Sequence, residues 1–394
     1  MSTSIKRADI IFAPYSEAPY HKFKEIITTV TPEYIIDELI SSELRGRGGA
    51  GFLTGMKWKF ARNAEGEIKY VVCNADEGEP GTFKDREILT KVPRKMISGM
   101  GICAFVTGAK IGYIYLRAEY NYLRRDLQAE LDIFHDVCKE MNFNFHIEIF
   151  SGMGAYVCGE ETALLNSIEG KRGEPRNKPP FPTNEGLFGK PTVINNVETF
   201  VNVMIICRLG SAEFRKYGIH GQTGSKLFSI SGDTPRGGVY ELELGMKIID
   251  LVNEFGDGNT KAVQVGGASG FCVPRAKFEE YTIGYPSKLT GDSLPTGGSI
   301  KFFNSKRSMH HVLENFLEFF VEESCGQCTP CRVGTQQLLK GIQQIKTKSV
   351  SPLYLDKLYE LAKTMKITSK CGLGQSVANA FCSIADEFKE EIIY

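Results

Sequence analysis

No excess of charge marks this chain. Its 47 Lys and Arg residues stand against 47 Asp and Glu residues, for a formal net charge of zero. That balance argues against the basic footprint that nucleic-acid binding or a polybasic membrane surface would need. Long apolar runs are missing too. No stretch reaches the roughly 18 uninterrupted apolar residues of a membrane-spanning helix, so no direct membrane insertion is expected. The opening Met1-Ser2-Thr3-Ser4-Ile5-Lys6-Arg7 has no apolar run and meets Asp9 early, which argues against a signal peptide. A cytosolic or equivalent reducing compartment follows.

Histidine is absent where it would matter most. Glu323-Ser324-Cys325-Gly326-Gln327-Cys328-Thr329-Pro330-Cys331-Arg332 sets three cysteines in a C-x-x-C-x-x-C run, and Cys371 follows downstream with no histidine near either segment. Three plus one is the ligand count of a Cys₄ iron–sulfur cluster, and two-residue gaps let a tight loop aim successive thiolates at one cubane. A structural zinc site is the alternative, although zinc sites usually pair two C-x-x-C units and here the fourth cysteine stands alone. The other seven cysteines are Cys73, Cys103, Cys138, Cys158, Cys207, Cys272 and Cys382. They are scattered through mostly apolar runs and are expected as buried free thiols.

A redox centre needs a donor site, and the chain offers candidates. At 394 residues it is long enough for two to four domains. Thr31-Pro32-Glu33 opens a short helix after an N-terminal arm. Leu44-Arg45-Gly46-Arg47-Gly48-Gly49-Ala50-Gly51-Phe52 then lets backbone N–H groups approach a phosphate or a flat ring. It does not follow the G-x-G-x-x-G fingerprint strictly, and a flexible surface loop is its plain alternative. Lys69–Asn74 reads as a buried strand leading into an acid-rich loop through Asp85. Ligands of an open α/β sheet bind at such strand ends. A helix over residues 95–110, a strand at Ile111–Leu116, a helix over Tyr122–Cys138 and a strand at Phe143–Ile149 give parallel βαβ order. The third strand delivers Gly152–Leu164, a glycine-rich turn opening a helix that carries Glu160 and Glu161. A phosphate at the helix N-terminus, ribose hydroxyls on the acids, and simple capping are all open there. The Pro-rich stretch of residues 171–192 can hold Lys178 and Phe181 over a cleft. Residues 194–199 open an apolar helix through Cys207.

Beyond Gly210, short strand-like runs (Lys226–Ser231, Gly238–Leu244, Ala262–Val265) and a helix at Ile248–Phe255 suit a small β-grasp module. From Met309 onward four helices, over 309–322, 333–346, 353–365 and 376–391, make a bundle. The cysteine triplet and Cys371 fall at loops that meet at one end of it. The fold class expected is α/β multi-domain. Residues 1–215 form the arm and a Rossmann-like cofactor domain, 216–305 the β-grasp module and 306–394 a four-helix bundle with the cluster.

Taken together, Arg45–Phe52, Asn74–Asp85, Gly154–Gly170, Lys178–Phe181, Asn195–Thr199 and Glu323–Arg332 with Cys371 resemble the NADH-binding flavoprotein subunit of respiratory complex I, the 51-kDa type. They resemble equally the diaphorase subunits of NAD-linked hydrogenases and formate dehydrogenases. The resemblance runs from about residue 40 to the end, in the family's order. It implies FMN, NAD(H) and one [4Fe–4S] cluster. By position, Gly46, Gly48, Gly49, Lys57, Asn74, Asp76, Glu77, Gly159, Glu160, Asn195, Asn196 and Thr199 look like flavin contacts. Phe52, Phe60, Glu79, Glu161, Lys178 and Phe181 fall where relatives hold NADH. Glu79 lies nearest the reacting centre, as the catalytic candidate. Cys325, Cys328, Cys331 and Cys371 match the cluster ligands.

The resemblance also implies a small thioredoxin-like [2Fe–2S] partner within a larger redox complex. The chain is expected in the cytoplasm or on the matrix side of an organelle, reaching a membrane only through partner subunits. Some relatives add an N-terminal thioredoxin-like segment and a C-terminal ferredoxin segment; this sequence shows neither, which favours a minimal subunit. The implied function is oxidation of NADH at FMN with single electrons leaving through the cluster. The alternatives are a diaphorase subunit of a soluble hydrogenase or formate dehydrogenase, and a zinc-stabilised nucleotide-binding module without turnover.

Overall fold

The computed structural model describes residues 7–14, 18–286 and 293–393. The first six residues of the expected arm therefore lie outside the described residues. Two helices open the chain, α1 (His21–Thr29) and α2 (Pro32–Ser41). In α2 the Thr31 hydroxyl accepts from Tyr34 N–H, Pro32 sits at the first helical position and Ile35, Ile36 and Leu39 are buried. The arm reading misses α1. Its nine residues bury only Phe23 and Ile26 and have no side-chain cap, so the helix depends on Phe23 packing against Phe134 and Phe143.

After α3 (Thr54–Asn63), the chain builds a four-stranded sheet in the order β3-β2-β1-β4 from β1 (Tyr70–Ala75), β2 (Ile111–Leu116), β3 (His146–Ser151) and β4 (Thr192–Asn196). All pairings are parallel. The intervening helices are α4 (Lys84–Lys91), α5 (Pro93–Thr107), α6 (Arg124–Glu140), α7 (Glu161–Ile168) and α8 (Pro182–Glu185), with α9 (Val197–Leu209) and α10 (Ser211–Phe214) after β4. Strand β4 corrects the sequence reading, which assigned residues 194–199 to a helix. A short apolar run next to a helix cannot be told from it by periodicity. Pairing with β1, from Tyr70↔Thr192 to Asn74↔Asn196, decides it. The helix begins at Val197, with the Asn196 side chain accepting from Glu198 N–H. Helices α5 and α9 touch closely because Gly99 has no side chain; a Cβ there would fall 2.1 Å from the Phe200 carbonyl oxygen.

A second sheet of five strands runs β6-β5-β11-β7-β8, from β5 (Ser225–Gly232), β6 (Gly238–Glu243), β7 (Thr260–Val265), β8 (Phe271–Pro274) and β11 (Ser299–Asn304). A two-stranded ribbon, β9 (Thr282–Ile283) and β10 (Ser293–Leu294), lies beside it. Helix α11 (Ile248–Phe255) buries Ile248, Leu251 and Phe255 in the core of this sheet. Strand β11 pairs parallel to β5 and antiparallel to β7. Its successive residues serve two cores: Phe302 packs with α11, Phe303 with the C-terminal helices.

Helices α12 (Met309–Glu323), α13 (Thr329–Lys346), α14 (Tyr354–Thr368) and α15 (Gly372–Glu387) follow, then the short α16 (Lys389–Ile393). Two of them start earlier than apolar periodicity indicates, α13 at Thr329 and α15 at Gly372, and this puts Cys331 in the first turn of α13 and Cys371 just before α15. One buried cluster reaches from the first sheet to the C-terminal helices. Tyr70 and Val72 of β1 belong to the same buried cluster as Phe320 and Leu338. Among the described residues no helix is long and apolar enough to cross a membrane.

Candidate functional site

The four cysteines come together at two helix starts. Cys328 is the residue before α13, Cys331 lies in its first turn, and Cys371 is the residue before α15. Both helices point positive N-terminal ends at the thiols, which favours a negatively charged centre. Gly374 makes the approach possible. A Cβ on it would lie 2.9 Å from the Cys331 Cβ and 2.6 Å from the Ser369 hydroxyl. Burial pushes the Cys331 thiol up to about 11, and the Cys328, Cys371 and Cys325 sulfurs add to the push. Burial also raises Cys371, opposed by the N–H groups of Leu373 and Gly374 directed at its sulfur. The four sulfurs thus share one electrostatic site. Yet among the described residues no three His, Cys, Asp or Glu side chains converge as the ligands of a single ion. Four soft thiols sharing one site suit a cubane, in which each sulfur binds a different iron. All eleven cysteines are unbridged.

The cleft lies where the parallel strands end. The loop from Arg45 to Leu53 closes on itself, with Gly46 N–H donating to the Phe52 carbonyl at 2.9 Å. Gly48 packs on Asn196, where a Cβ would stand 3.1 Å from the Asn196 Cβ. Three side chains hold this loop from behind. The Thr199 hydroxyl accepts from Arg47 N–H at 2.9 Å, the Lys226 ammonium donates to the Arg47 carbonyl at 2.7 Å, and the Tyr285 hydroxyl donates to the Gly46 carbonyl at 2.9 Å. Arg47 is buried, and its Nε and Nη2 have no partner. Across the cleft, Asn74 donates to the Gly159 carbonyl at 2.9 Å and accepts from Asp76 N–H. Burial lifts the Asp76 carboxyl to about 7, against the pull of Arg117, and its Oδ2 is buried without a partner. A glycine loop on one side and an unpaired buried acceptor on the other fit a polar, flat prosthetic group.

Several candidates face inward. Glu77 accepts from Asp85 N–H, Arg86 N–H and the Tyr120 hydroxyl, so it caps α4. Burial, with Asp85 adding to it, raises Glu77 to about 7. Asn195 accepts from the Trp58 indole at 2.9 Å, and Asn196 bridges Lys84 and Asp85. Glu160 answers the question left at α7: its carboxylate accepts from Thr162 N–H and Ala163 N–H, both at 2.9 Å, so the helix end already holds an anion of its own. Glu161 faces Lys178 at 2.7 Å and Lys57 at 3.7 Å. Burial works against its charge, but the two lysines hold the carboxyl below its ordinary range. Lys57 also donates to the Ile194 carbonyl, and Lys178 to Glu160. Phe52, Phe60 and Phe181 remain 51%, 46% and 54% exposed.

Glu79 is enclosed. It accepts from the Tyr156 hydroxyl at 2.6 Å and from Ser269 N–H at 3.1 Å. Burial raises its carboxyl while these bonds favour the charged form. Tyr156 and Ser269 escape the sequence reading, and so does a buried ionic knot in which Glu198 meets Lys84 at 2.9 Å and Lys226 at 3.0 Å. Only a strand's length of context surrounds Lys226 in the sequence, and nothing local marks it.

Two family models match the chain: the Nuo51 FMN-binding domain over residues 40–205 and the NADH-ubiquinone oxidoreductase-F iron-sulfur binding region over residues 311–394. A second F-type subunit of the NADH-quinone oxidoreductase of Rhizobium meliloti is 38% identical, over 95% of this chain and 91% of its own length. The alpha subunit of the NAD-reducing hydrogenase HoxS of Cupriavidus necator is 42% identical, over 91% of this chain and 60% of its own. Among solved structures, an NAD⁺-reducing [NiFe]-hydrogenase in the H₂-reduced state superposes with a TM-score of 0.89 at 38% identity. That match covers 96% of this chain and 64% of the hydrogenase chain.

Proposed function

Because this chain belongs to the family of NADH-quinone oxidoreductase F-type subunits and hydrogenase diaphorase subunits, we propose that it oxidises NADH at a bound FMN and hands single electrons through a [4Fe–4S] cluster to a partner iron–sulfur subunit. A bound flavin supplies the exchange between a two-electron hydride and single electrons. The chain's own residues orient and insulate. The Gly46–Gly51 loop and Lys57 form one wall of the flavin site; Asn74, Asp76 and Gly159 form the other. Glu161 and Lys178 bind the nucleotide's ribose and phosphates, and Phe52, Phe60 and Phe181 offer faces for its rings. Glu79, held by Tyr156 and Ser269, orients the reacting end. Cys325, Cys328, Cys331 and Cys371 hold the cluster.

One observation carries this reading. The α12 residue that leads into the cysteine loop, Glu323, accepts from Tyr156 N–H at 2.9 Å, while the Tyr156 hydroxyl holds Glu79. Donor cleft and thiol quartet are thereby joined through one residue. The same enzyme can work as a diaphorase, reducing NAD⁺ with electrons arriving through the cluster. The hydrogenase relative, longer than this chain, favours that direction equally.

In this reading residues 1–215 are the FMN and NADH domain, 216–305 a β-grasp module and 306–394 a four-helix bundle. The electron acceptor is a thioredoxin-like [2Fe–2S] subunit of a larger complex on the cytoplasmic or matrix side. The test is a colour and metal assay on the anaerobically purified protein. Flavin absorbance that NADH bleaches, with about four irons per chain, supports the reading. Zinc without flavin sinks it and leaves a nucleotide-binding module.

A further inference from the structure

Strand β11 and the first turns of α12 enclose a cavity of about 560 Å³. Helix α12 spans 15 residues, roughly 20 Å at about 1.5 Å per residue, and the cysteine loop leaves its far end. The cavity therefore lies away from the thiols, and none of the cleft residues lines it. Its floor is apolar, built from Phe303 and Phe316, both buried, with Val312 beside them. Its rim is cationic, and no carboxylate lines it. The Lys301 ammonium stands 5.8 Å from the Phe303 ring centroid, over that floor. Lys306 is exposed and, among the described residues, makes no ion pair. Arg307 grips Asp233 through Nε at 2.9 Å and Nη2 at 2.7 Å, which leaves Nη1 as a donor without a partner among the described residues. Lys301 helps to hold the Asp233 carboxyl low, but Arg307 is the larger cause.

The other acids nearby are engaged elsewhere. Glu391 meets Lys261 at 2.6 Å and accepts from Met309 N–H, so it already occupies the N-terminus of α12. Asp257 accepts from Asn304 and from Asn259 N–H. Glu314 faces Lys346 at 3.7 Å, and Glu318 stands exposed one turn beyond Asn315.

We propose that this cavity binds a small phosphate monoester, its phosphate on Lys301, Lys306 and Arg307 Nη1 and its organic body on Phe303 and Phe316. Charge selects the phosphate. Arg307 and Asp233 cancel, so Lys301 and Lys306 leave two positive charges, and a monoester carries about −1.5 to −2 near neutral pH. A carboxylate would answer only one of them. Size selects an ester over the bare ion. Pockets of about 300–1,000 Å³ hold small organic ligands, and inorganic phosphate would leave the apolar floor uncovered. None of the large apolar side chains left exposed, such as Leu353 or Ile367, belongs to the rim, which favours a free small molecule over a lipid headgroup. The inference goes beyond the electron-relay reading and does not depend on it.

The probe is phenyl phosphate, titrated by calorimetry into the purified holoprotein. It should saturate a single site per chain, equally well with and without saturating NAD⁺. Lys301→Gln with Lys306→Gln should raise its Kd roughly tenfold or more, because two charged donors are lost. Lys306→Gln alone, at an exposed position that cannot disturb the fold, should raise it several-fold. Phenyl sulfate has the same shape with one charge and should bind several-fold more weakly. Inorganic phosphate, which lacks the body, should do the same. Vesicles carrying phosphatidic acid should not retain the protein. No binding, a Kd that both variants leave unchanged, or displacement by NAD⁺ overturns the site. Phenyl sulfate binding as tightly as phenyl phosphate overturns the phosphate assignment, and retention on the vesicles overturns the free small molecule in favour of a lipid headgroup. A protein without flavin that binds phenyl phosphate as described overturns the relay reading and leaves this site standing.

Discussion

The backbone N–H of Tyr156 donates to the Glu323 carboxylate at 2.9 Å, across 167 residues of sequence. That bond sets the end of α12 against the turn that closes the donor cleft. The Tyr156 ring packs edge-on against Phe319, one helical turn earlier, with centroids 5.0 Å apart. The cysteine loop therefore has a fixed position relative to Glu79.

Cluster and flavin should be separable. Cys328→Ala removes one of four ligands and should abolish bound iron and sulfide, while FMN, held in another part of the fold, remains and is still bleached by NADH. Iron analysis with absorbance spectra checks this; full iron content in the variant overturns the ligand assignment.

A variant that touches no ligand should have the same outcome. Gly374→Val places a side chain where the Cys331 Cβ and the Ser369 hydroxyl already lie within 3 Å of a Cβ. Overpacking of that kind costs about 1–3 kcal/mol and here displaces Cys331 or Cys371. Iron occupancy should fall well below that of the unaltered protein, with Gly374→Ala intermediate.

Nucleotide choice should lie at Glu161. NADPH adds a phosphate to the adenosine ribose, and a carboxylate at that ribose repels it. Lys57 and Lys178 sharpen the expectation, since Glu161→Gln leaves both ammoniums without that carboxylate. kcat/KM for NADPH should rise roughly tenfold or more, a change of ~1.4 kcal/mol, with NADH use modestly weaker. Glu79→Gln should slow NADH oxidation with little gain for NADPH. A gain confined to the Glu79 variant exchanges the two roles.

The buried knot should resist removal of its centre. Glu198 is fully buried between Lys84 and Lys226, and burial, which disfavours its charge, is outweighed by those lysines. Glu198→Gln leaves the Lys226 ammonium with no carboxylate and Lys84 with Asp85 alone, and should cost about 3–5 kcal/mol in denaturant unfolding. A loss below ~1 kcal/mol would show that the lysines find water or other partners.

Stability should depend on Asp76. Burial raises its carboxyl from 3.8 to about 7 in the folded protein. Between those values the folded chain binds more protons than the unfolded one, so this group stabilises at low pH and loses that contribution as pH rises through about 7. In flavin-free protein Asp76→Asn should flatten the fall in stability between pH ~4 and ~7. An unchanged slope would place the titration elsewhere.

Local sequence settles what depends on neighbours a few residues apart. The C-x-x-C-x-x-C run fixes three thiols within one loop and one helical turn, and the apolar spacing of Ile248–Phe255 marks α11 to the residue. Lys69–Asn74, apolar and β-branched, is a strand wherever it is buried. Elements whose existence depends on distant partners are not written that way. Residues 192–196 could continue a helix, and they become β4 only because β1 supplies its hydrogen bonds. The role of Glu160 is likewise decided in three dimensions. An acid at a helix start suits a ligand or a cap equally, and the N–H groups of Thr162 and Ala163 claim it. Lys226 reaches the Arg47 carbonyl from 179 residues away. Side-chain chemistry is local, so residue types alone point to thiolate, glycine-loop and carboxylate functions. Which of those groups face a cleft, and which are used up holding its walls, follows from long-range packing that no window of sequence contains.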